Sequence, residues 1–512
     1  MKRFLATSFV ALSVVAADAD VAHAGGFFLL DRGVRPNGRA GAFVAGADDP
    51  NALSYNPAGL AFSGRQLVLD ASIPLLFADY TRVDSGGTTL PTVEAGQVPL
   101  PIPTLAYSDH FGLEKVTFGA GIWAPMATLL EWPDSASYGG VRGPAPQRYS
   151  LYSMRGTILS TIAVGAAYQP IPELSIGVTA GVNTGSFAAR TTLSACDGAI
   201  CTQPEDPDYD SLVQLNAPLL IAPAFSLGVT YAHPSFRIGA SVSTPYRLHG
   251  EADLEARVPS APIFDQSTIE GAGGGAPTAD ITIRFPWVVR AGVEVRPMED
   301  LRIEAAVVLE TWSRQNEILL APNDVAVRNV FAVGDYDLGP ISIARNMKNT
   351  VSVRLGGEYD LGVISLRGGI SYETGSFGDA YLTALTLDSD KTSVMGGLSI
   401  NVSDSVSLDG TIGYVFMRDR TVDNSRVTQP NAIRPDFQPP VYIGNGHYEM
   451  DALYIGAGLR IRFAPPVAAA NEEPEVVPEP VVPEPVVTEP VATEPAALAP
   501  TDPAPAPTQS TP

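Results

Sequence analysis

Few side chains in this sequence could do covalent chemistry, and their spacing does not gather them. The five histidines, His23, His110, His233, His249 and His447, are scattered. None has the short spacing to other ligands that a metal centre uses, and no Ser-His-Asp trio emerges. No enzyme activity, cofactor or metal is therefore expected. Cys196 and Cys201 lie close together in SACDGAICTQ. In an exported chain such a pair reads as a loop-stapling disulfide, with free thiols as the alternative. The residues best suited to molecular recognition are apolar: Phe27, Phe28, Leu29 and Leu30, then Trp123 to Trp132.

Those side chains need a scaffold, and composition restricts it. Hydrophobic residues make up 45% of the 512 and charged ones 17%. No run of about 18 apolar residues follows the N-terminal segment, so membrane-spanning helices are not expected. The 48 glycines and 18 tyrosines suit short strands, tight turns and interfacial aromatics. A formal charge of −23 argues against nucleic-acid binding, which takes a basic footprint. The chain opens with Lys2 and Arg3, an apolar core from Phe4 to Ala17, and the small-x-small run Ala22-His23-Ala24. These are the features of a secretory signal peptide, residues 1–24, cut before Gly25.

From about Arg65 to Phe463 the pattern has period two. In VSVRLGGEYD, Val351, Val353, Leu355 and Tyr359 share one face, while Ser352, Arg354, Glu358 and Asp360 share the other. ISLRGGISYE and LRIEAAVVLETW repeat it, and the last strand sets Leu453, Ile455, Leu459 and Ile461 against Arg460 and Arg462. One face suits lipid; the other holds charges that need water or partners. That is the dyad pattern of an outer-membrane barrel. Such a sheet must close, because an open edge cannot lie in hydrocarbon. A secreted β-sandwich would also alternate, but with its polar face outward. The links HPS (233–235), PMED (297–300) and SDS (403–405) read as short turns at one end. Stretches 82–103, 129–150, 190–215, 255–280, 314–346 and 417–446 read as long loops at the other. The expected class is all-β: a transmembrane antiparallel barrel over residues 64–463.

Two stretches fall outside this pattern. Residues 25–63 are glycine-rich, carry an Asn56-Pro57-Ala58 turn, and fit neither a strand nor a long helix. Irregular backbone at membrane depth is tolerated only inside protein or beside a water-filled cavity. The stretch is therefore expected to plug the lumen as a hatch, with Asn56, Pro57 and Ala58 structural rather than ligand-binding. Residues 464–512 are rich in proline and carry eight acids and no bases. This composition excludes helix and sheet and predicts a disordered, extended periplasmic tail. Such a tail serves as a spacer, as a contact to peptidoglycan or a periplasmic protein, or as solvated chain with no partner. The composition leaves these open.

Several segments, taken in order, carry a resemblance: ADDPNALSYNPAGL (47–60), FGAGIWAPMATLLEW (118–132), VSTPYRLHGEADL (242–254), FPWVVRAGVEVRP (285–297), ETWSRQ (310–315), residues 346–377, and GHYEMDALYIGAGLRIRF (446–463). Over nearly all of 26–463 the chain resembles the FadL/TodX family of outer-membrane transporters for long-chain fatty acids and other hydrophobic compounds. It departs from the family in the 49 residues after Phe463 and in Met126-Ala127, where Phe-Gly is common.

The resemblance implies a monomeric 14-stranded barrel in the outer membrane of a Gram-negative bacterium. A hydrophobic ligand would pass from outer loops into an apolar pocket. It would leave sideways into lipid through a kinked wall strand when the hatch shifts. Phe27, Phe28, Leu29 and Leu30 then stand for ligand contact or for plug packing. Pro125 interrupts a ladder hydrogen bond and is the candidate kink. Trp123, Met126, Leu129, Leu130 and Trp132 form an adaptable apolar face for ligand or an interfacial anchor. Arg290, Arg354 and Arg367 could each meet a carboxylate, though pairing with wall acids is the plainer expectation. A long-chain fatty acid is the leading substrate and an aromatic or alkane hydrocarbon the second. A structural or adhesion barrel tethered by its tail is the third reading.

Overall fold

Alternating side chains make the wall, and the wall closes on itself. A computed structural model describes residues 31–463 apart from 128, 129, 197, 199, 200, 202, 315, 432 and 435–437. The expected signal peptide (1–24), Phe27 to Leu30, Leu129 and residues 464–512 therefore lie outside the described residues. The chain divides into two units, Met1–Pro465 and Pro466–Pro512, and the described residues all belong to the first.

Fourteen antiparallel strands form the barrel: β1 (Gln66–Arg82), β2 (Ile102–Asp109), β3 (Val116–Ala127), β4 (Ile158–Ile171), β5 (Leu174–Ser194), β6 (Asp210–His233), β7 (Phe236–Ser243), β8 (Val288–Met298), β9 (Leu301–Glu310), β10 (Thr350–Asp360), β11 (Ile364–Glu373), β12 (Lys391–Asn401), β13 (Val406–Met417) and β14 (Gly446–Arg462). Each pairs with the next, and β14 returns to β1 along its whole length, from Gln66 opposite Arg462 to Arg82 opposite Gly446. The Phe463 N–H adds a bond to the Arg65 carbonyl at 3.0 Å. Val353 and Leu355 are exposed while Ser352, Arg354 and Glu358 on the same strand are buried. That inversion of the usual globular arrangement is stable only where lipid, not water, covers the outside.

On the long-loop side the sheet continues beyond the barrel. β5 runs to Ser194 and β6 starts at Asp210, so the two ends of the stretch 190–215 are strand. Strands Arg247–Ala256, Thr278–Arg284, Glu317–Pro322 and Ile341–Ala344 pair side by side as continuations of β7 to β10. The first of them also pairs with β6. Their outer face is polar, with Arg247, His249, Glu251 and Asp253 exposed. Their inner face buries Leu248, Ala252, Ile281 and Leu320. The loops read at 255–280 and 314–346 are thus partly sheet; their short alternations are cut by Gly and Pro runs that look like loop.

Residues 31–63 fold inside this wall. They make two one-turn helices, α1 (Val34–Asn37) and α2 (Ala52–Tyr55), and a 3-10 turn, Pro57–Phe62. Asn56 is extended (φ −154°, ψ 100°) and caps the 3-10 turn, its Oδ1 accepting from the Ala58 N–H at 3.2 Å. Its Nδ2 donates to the Val44 carbonyl and to Thr230 Oγ1, both at 2.9 Å. The Ser175 hydroxyl donates to the Ala58 carbonyl at 2.8 Å. The turn can lie this close only because the wall has no side chain there. A Cβ on Gly177 would sit 2.2 Å from the Pro57 carbonyl carbon, and one on Gly228 would sit 2.0 Å from Asn56 Oδ1.

Gly177→Val should therefore displace the Asn56-Pro57-Ala58 turn and cost about 1–3 kcal/mol of overpacking. Thermal unfolding in detergent and protease cleavage within 47–63 check this; an unchanged midpoint with an uncut hatch would contradict the contact.

Candidate transport pathway

Inward-pointing charges on the wall meet opposite charges on the hatch. Arg35 pairs with Asp48 (2.7 Å) and Asp49 (3.0 Å) on the hatch and with Glu358 on β10 (3.0 Å). Asp48 also meets Arg302 on β9 (2.5 Å) and Arg237 on β7 (3.3 Å). Glu358 takes Arg302 and Arg367 as further partners, and Arg367 and Arg460 converge on Asp409 at 3.2 Å each. Arg39, with no exposed surface, lies 3.0 Å from Glu294 and 3.2 Å from Glu304. Glu304 also accepts the backbone N–H groups of Val44, Ala45 and Gly46 at 2.6–2.9 Å. Arg35, Asp48, Glu304 and Glu358 are each met by several partners, the condition under which desolvation is offset. Arg354 bonds Asp31. Arg290 reaches Ser243 Oγ at 3.5 Å and lies 6.0 Å from the Tyr55 ring centroid. Of the three lumenal arginines, Arg367 meets wall acids as expected, Arg354 meets an acid of the hatch, and Arg290 meets a serine.

Beyond the hatch, towards the long loops, the interior turns apolar. Tyr246 stacks on Phe285 at 4.4 Å, and Trp312 lies 6.2 Å further on. Next comes a cavity of about 160 Å³ lined by Leu151, Phe187, Leu215, Ile281, Leu320, Ile341 and Leu385, with Thr191, Thr383, Gln429 and Asn431 as polar points. Among the described residues that line it, none is charged. A smaller void of about 40 Å³ shares Leu193, Val213, Leu320 and Ile341 with it and extends to Phe264, Ile269 and Val327 in the loops. Cys196 and Cys201 are disulfide-bonded, with Cα atoms 5.4 Å apart. The lining residue Asn431 donates to the Cys196 carbonyl at 2.6 Å, tying that loop to the cavity.

The wall has a weak place near β1. β2 pairs with β1 only from Gln66 to Ser72, and pairing resumes at Asp79 and Tyr80 with Val93–Glu94. Between them, among the described residues, Ile73 to Phe77 have no ladder partner on that side. Pro99, Pro101 and Pro103, at alternate positions, remove N–H donors that a ladder would use. β3 pairs with β2 only as far as Trp123, and its register against β4 shifts between Trp123 and Met126, at Pro125.

The residues singled out in the sequence are not gathered in one place. Trp123 packs inward among Phe43, Leu53, Tyr55 and Leu60 of the hatch, not at a lipid interface. Trp132 is buried in the apolar cluster around the cavity, its Nε1 donating to the Ala384 carbonyl at 3.3 Å, and Leu130 packs against that cluster. Pro125 and Met126 belong to β3 by their backbone. Phe27, Phe28, Leu29, Leu30 and Leu129 lie outside the described residues. The cavity's own Phe187, Leu215, Ile281 and Leu320 went unnoticed in the sequence. For Phe187 and Leu215 the signal is alternation that persists beyond the roughly 9–11 residues a strand needs to cross a bilayer; Ile281 and Leu320 sit in short alternations that look like loop.

Residues 15–463 match the family of outer membrane transport proteins described as OMPP1/FadL/TodX. The chain belongs to this family. No curated protein matches it, but solved structures share the fold. A Pseudomonas aeruginosa FadL homologue superposes with a TM-score of 0.65 at 15% identity, covering 86% of this chain and 100% of that one. The P. putida toluene transporter TodX gives 0.57 at 15%, covering 87% and 100%. The Ralstonia pickettii toluene transporter TbuX gives 0.54 at 18%, covering 85% and 99%. As a FadL/TodX member this barrel transports hydrophobic compounds in the outer membrane.

Glu358→Leu should leave Arg302 and Arg367 short of a partner and lower stability by about 3–5 kcal/mol, read as a shifted urea midpoint in detergent. Glu358→Asp should recover part of it; a neutral Glu358→Leu would mean that the ion lattice does not hold the hatch.

Proposed function

We propose that the protein takes up compact, neutral hydrophobic molecules, of which single-ring aromatic hydrocarbons are the type. The uncharged 160 Å³ cavity carries this reading. An apolar void of about 150 Å³ accepts benzene and stays dry, whereas drug-sized ligands occupy about 300–1,000 Å³. In this reading the ligand enters between the loops, rests in the cavity, and leaves into lipid beside β1, where the ladder lapses at Ile73–Phe77, with the irregularity of β3 at Pro125 nearby in the sheet. Phe27 to Leu30 and the hatch gate the lumen. The protein works as a monomer, with residues 464–512 in the periplasm.

A long-chain fatty acid is the second reading, and one observation favours it. Arg345 follows the lining residue Ala344, is fully buried, and lies 5.2 Å from the Phe377 ring centroid. Burial pushes its guanidinium down to about 9. Arg148 beside Tyr149 and Arg190 between Ala189 and Thr191 adjoin the lining too, and they pair with Asp210 and Asp134; Arg345 is the cation this second reading offers to a fatty-acid carboxylate.

Uptake of labelled toluene and oleate by cells lacking their own transporters separates the two. Toluene uptake should fall about tenfold in Leu215→Trp, which fills the cavity, and in a chain lacking Gly25–Leu30, both checked for barrel assembly. Oleate uptake that Arg345→Gln abolishes, with no toluene uptake, would replace this reading with the second.

A further inference from the structure

The wall is split at a second place, between β6 and the strand beyond β7. β6 pairs with β7 from Ser226 opposite Ser243 to His233 opposite Phe236. It pairs again from Val213 opposite Ala256 to Asn216 opposite Asp253. Among the described residues no ladder pairing joins Ala217–Phe225 to the stretch 244–252; one bond, from the Thr244 N–H to the Phe225 carbonyl at 2.9 Å, marks the lower end.

The cause is a pair of staggered face reversals. On β6, Ala217 and Leu220 are both buried with Pro218 and Leu219 exposed between them, so the inward side changes from odd to even positions. The opposite lip changes from odd (Ser241) to even (Leu248, Ala252) at Thr244-Pro245-Tyr246, several residues away in register. Between the two reversals an inward residue of one lip stands opposite an outward residue of the other. Directly paired residues of an antiparallel ladder share a face, so no ladder can form there. Pro218, Pro223 and Pro245 also lack an N–H to donate.

What fills the split is a side chain. Leu220 has no exposed surface, and Gly250 makes room for it: a Cβ on Gly250 would sit 2.7 Å from Leu220 Cδ2. Leu220, Leu248 and Leu254 belong to the apolar cluster that also holds the cavity residues Phe187, Leu215 and Ile281. Outside, one lip presents Leu219 (61% exposed) and Ile221 (56%), and the other presents Arg247, His249 and Glu251. An apolar lip beside a polar one is the chemistry of the level where acyl chains meet headgroups.

We propose that this split is a lateral entrance, distinct from the lapse beside β1, through which hydrophobic molecules dissolved in the outer part of the bilayer reach the cavity. It rests on the hydrocarbon reading above. Leu220 is its leaf and Gly250 the recess in which the leaf lies.

The test uses full-length protein in vesicles loaded with a lipid-soluble trifluoromethyl phenyl diazirine. Ile221→Cys with His249→Cys, joined by a short bis-maleimide, ties the lips; Gln214→Cys with Glu255→Cys ties a paired stretch as control. The native cysteines are bonded to each other, so the introduced thiols react alone. Photolabelling of Leu215 and Ile281, read by mass spectrometry, should fall at least fivefold when the split is tied and stay unchanged in the control. Labelling that persists in the tied protein, or that is missing from the untied one, overturns the entrance. Toluene uptake by the untied variant is read in parallel. Its loss with labelling intact would count against the transport reading alone.

Discussion

The structure depends on a charge problem created by closing the sheet. Every second wall residue points into a space from which bulk water is largely excluded, and Glu304, Glu358, Arg367, Asp409 and Arg460 are buried there. Ions in such a place are tolerable only with partners at short range. Arg367 and Arg460 share Asp409 within the wall; for Arg302, Glu304 and Glu358 the hatch supplies partners in Arg35, Arg39 and Asp48, which project from a stretch that otherwise has little reason to fold. Wall and hatch therefore share one ion lattice, in which Glu358, Glu304 and Asp48 bridge the two.

Above that ionic layer the same wall encloses the opposite environment. Tyr246, Phe285 and Trp312 pack together, and Phe187, Leu215, Ile281 and Leu320 form the apolar lining of the cavity. A hydrocarbon gains nothing from the ionic layer and would have to displace it to pass straight through. The side of the barrel offers lower resistance wherever the ladder lapses. Proline and mismatched faces, rather than missing strands, create such places in this wall.

Much of this was legible in the residues. Period-two alternation from Arg65 to Phe463 specifies a closed barrel because charge and grease cannot share a face. The Asn56-Pro57-Ala58 run announces a turn because its local chemistry decides its shape. The cavity was not legible. Phe187, Leu215, Ile281 and Leu320 are ordinary strand residues one at a time, and only β5, β6 and their neighbours rising past the membrane band bring them together. Trp123 looked like an interface aromatic because its partners, Phe43 and Leu60, lie about 60 or more residues earlier in the chain. Which side of a strand faces a plug is a property of the closed object, not of the strand.

Closure between the first and last strands sets an order of events. β1 can find β14 only after nearly the whole chain is available, so the barrel belongs to the slow, long-range class of folders and its edges stay open meanwhile. The hatch leaves the export machinery first and ends up enclosed by strands made later, β7 to β14 among them. It cannot be threaded into a finished barrel without breaking the wall. Residues 31–63 must therefore be present as the strands gather, and their charges connect the wall: Asp48 meets Arg237 on β7 and Arg302 on β9, and Arg39 meets Glu294 on β8 and Glu304 on β9.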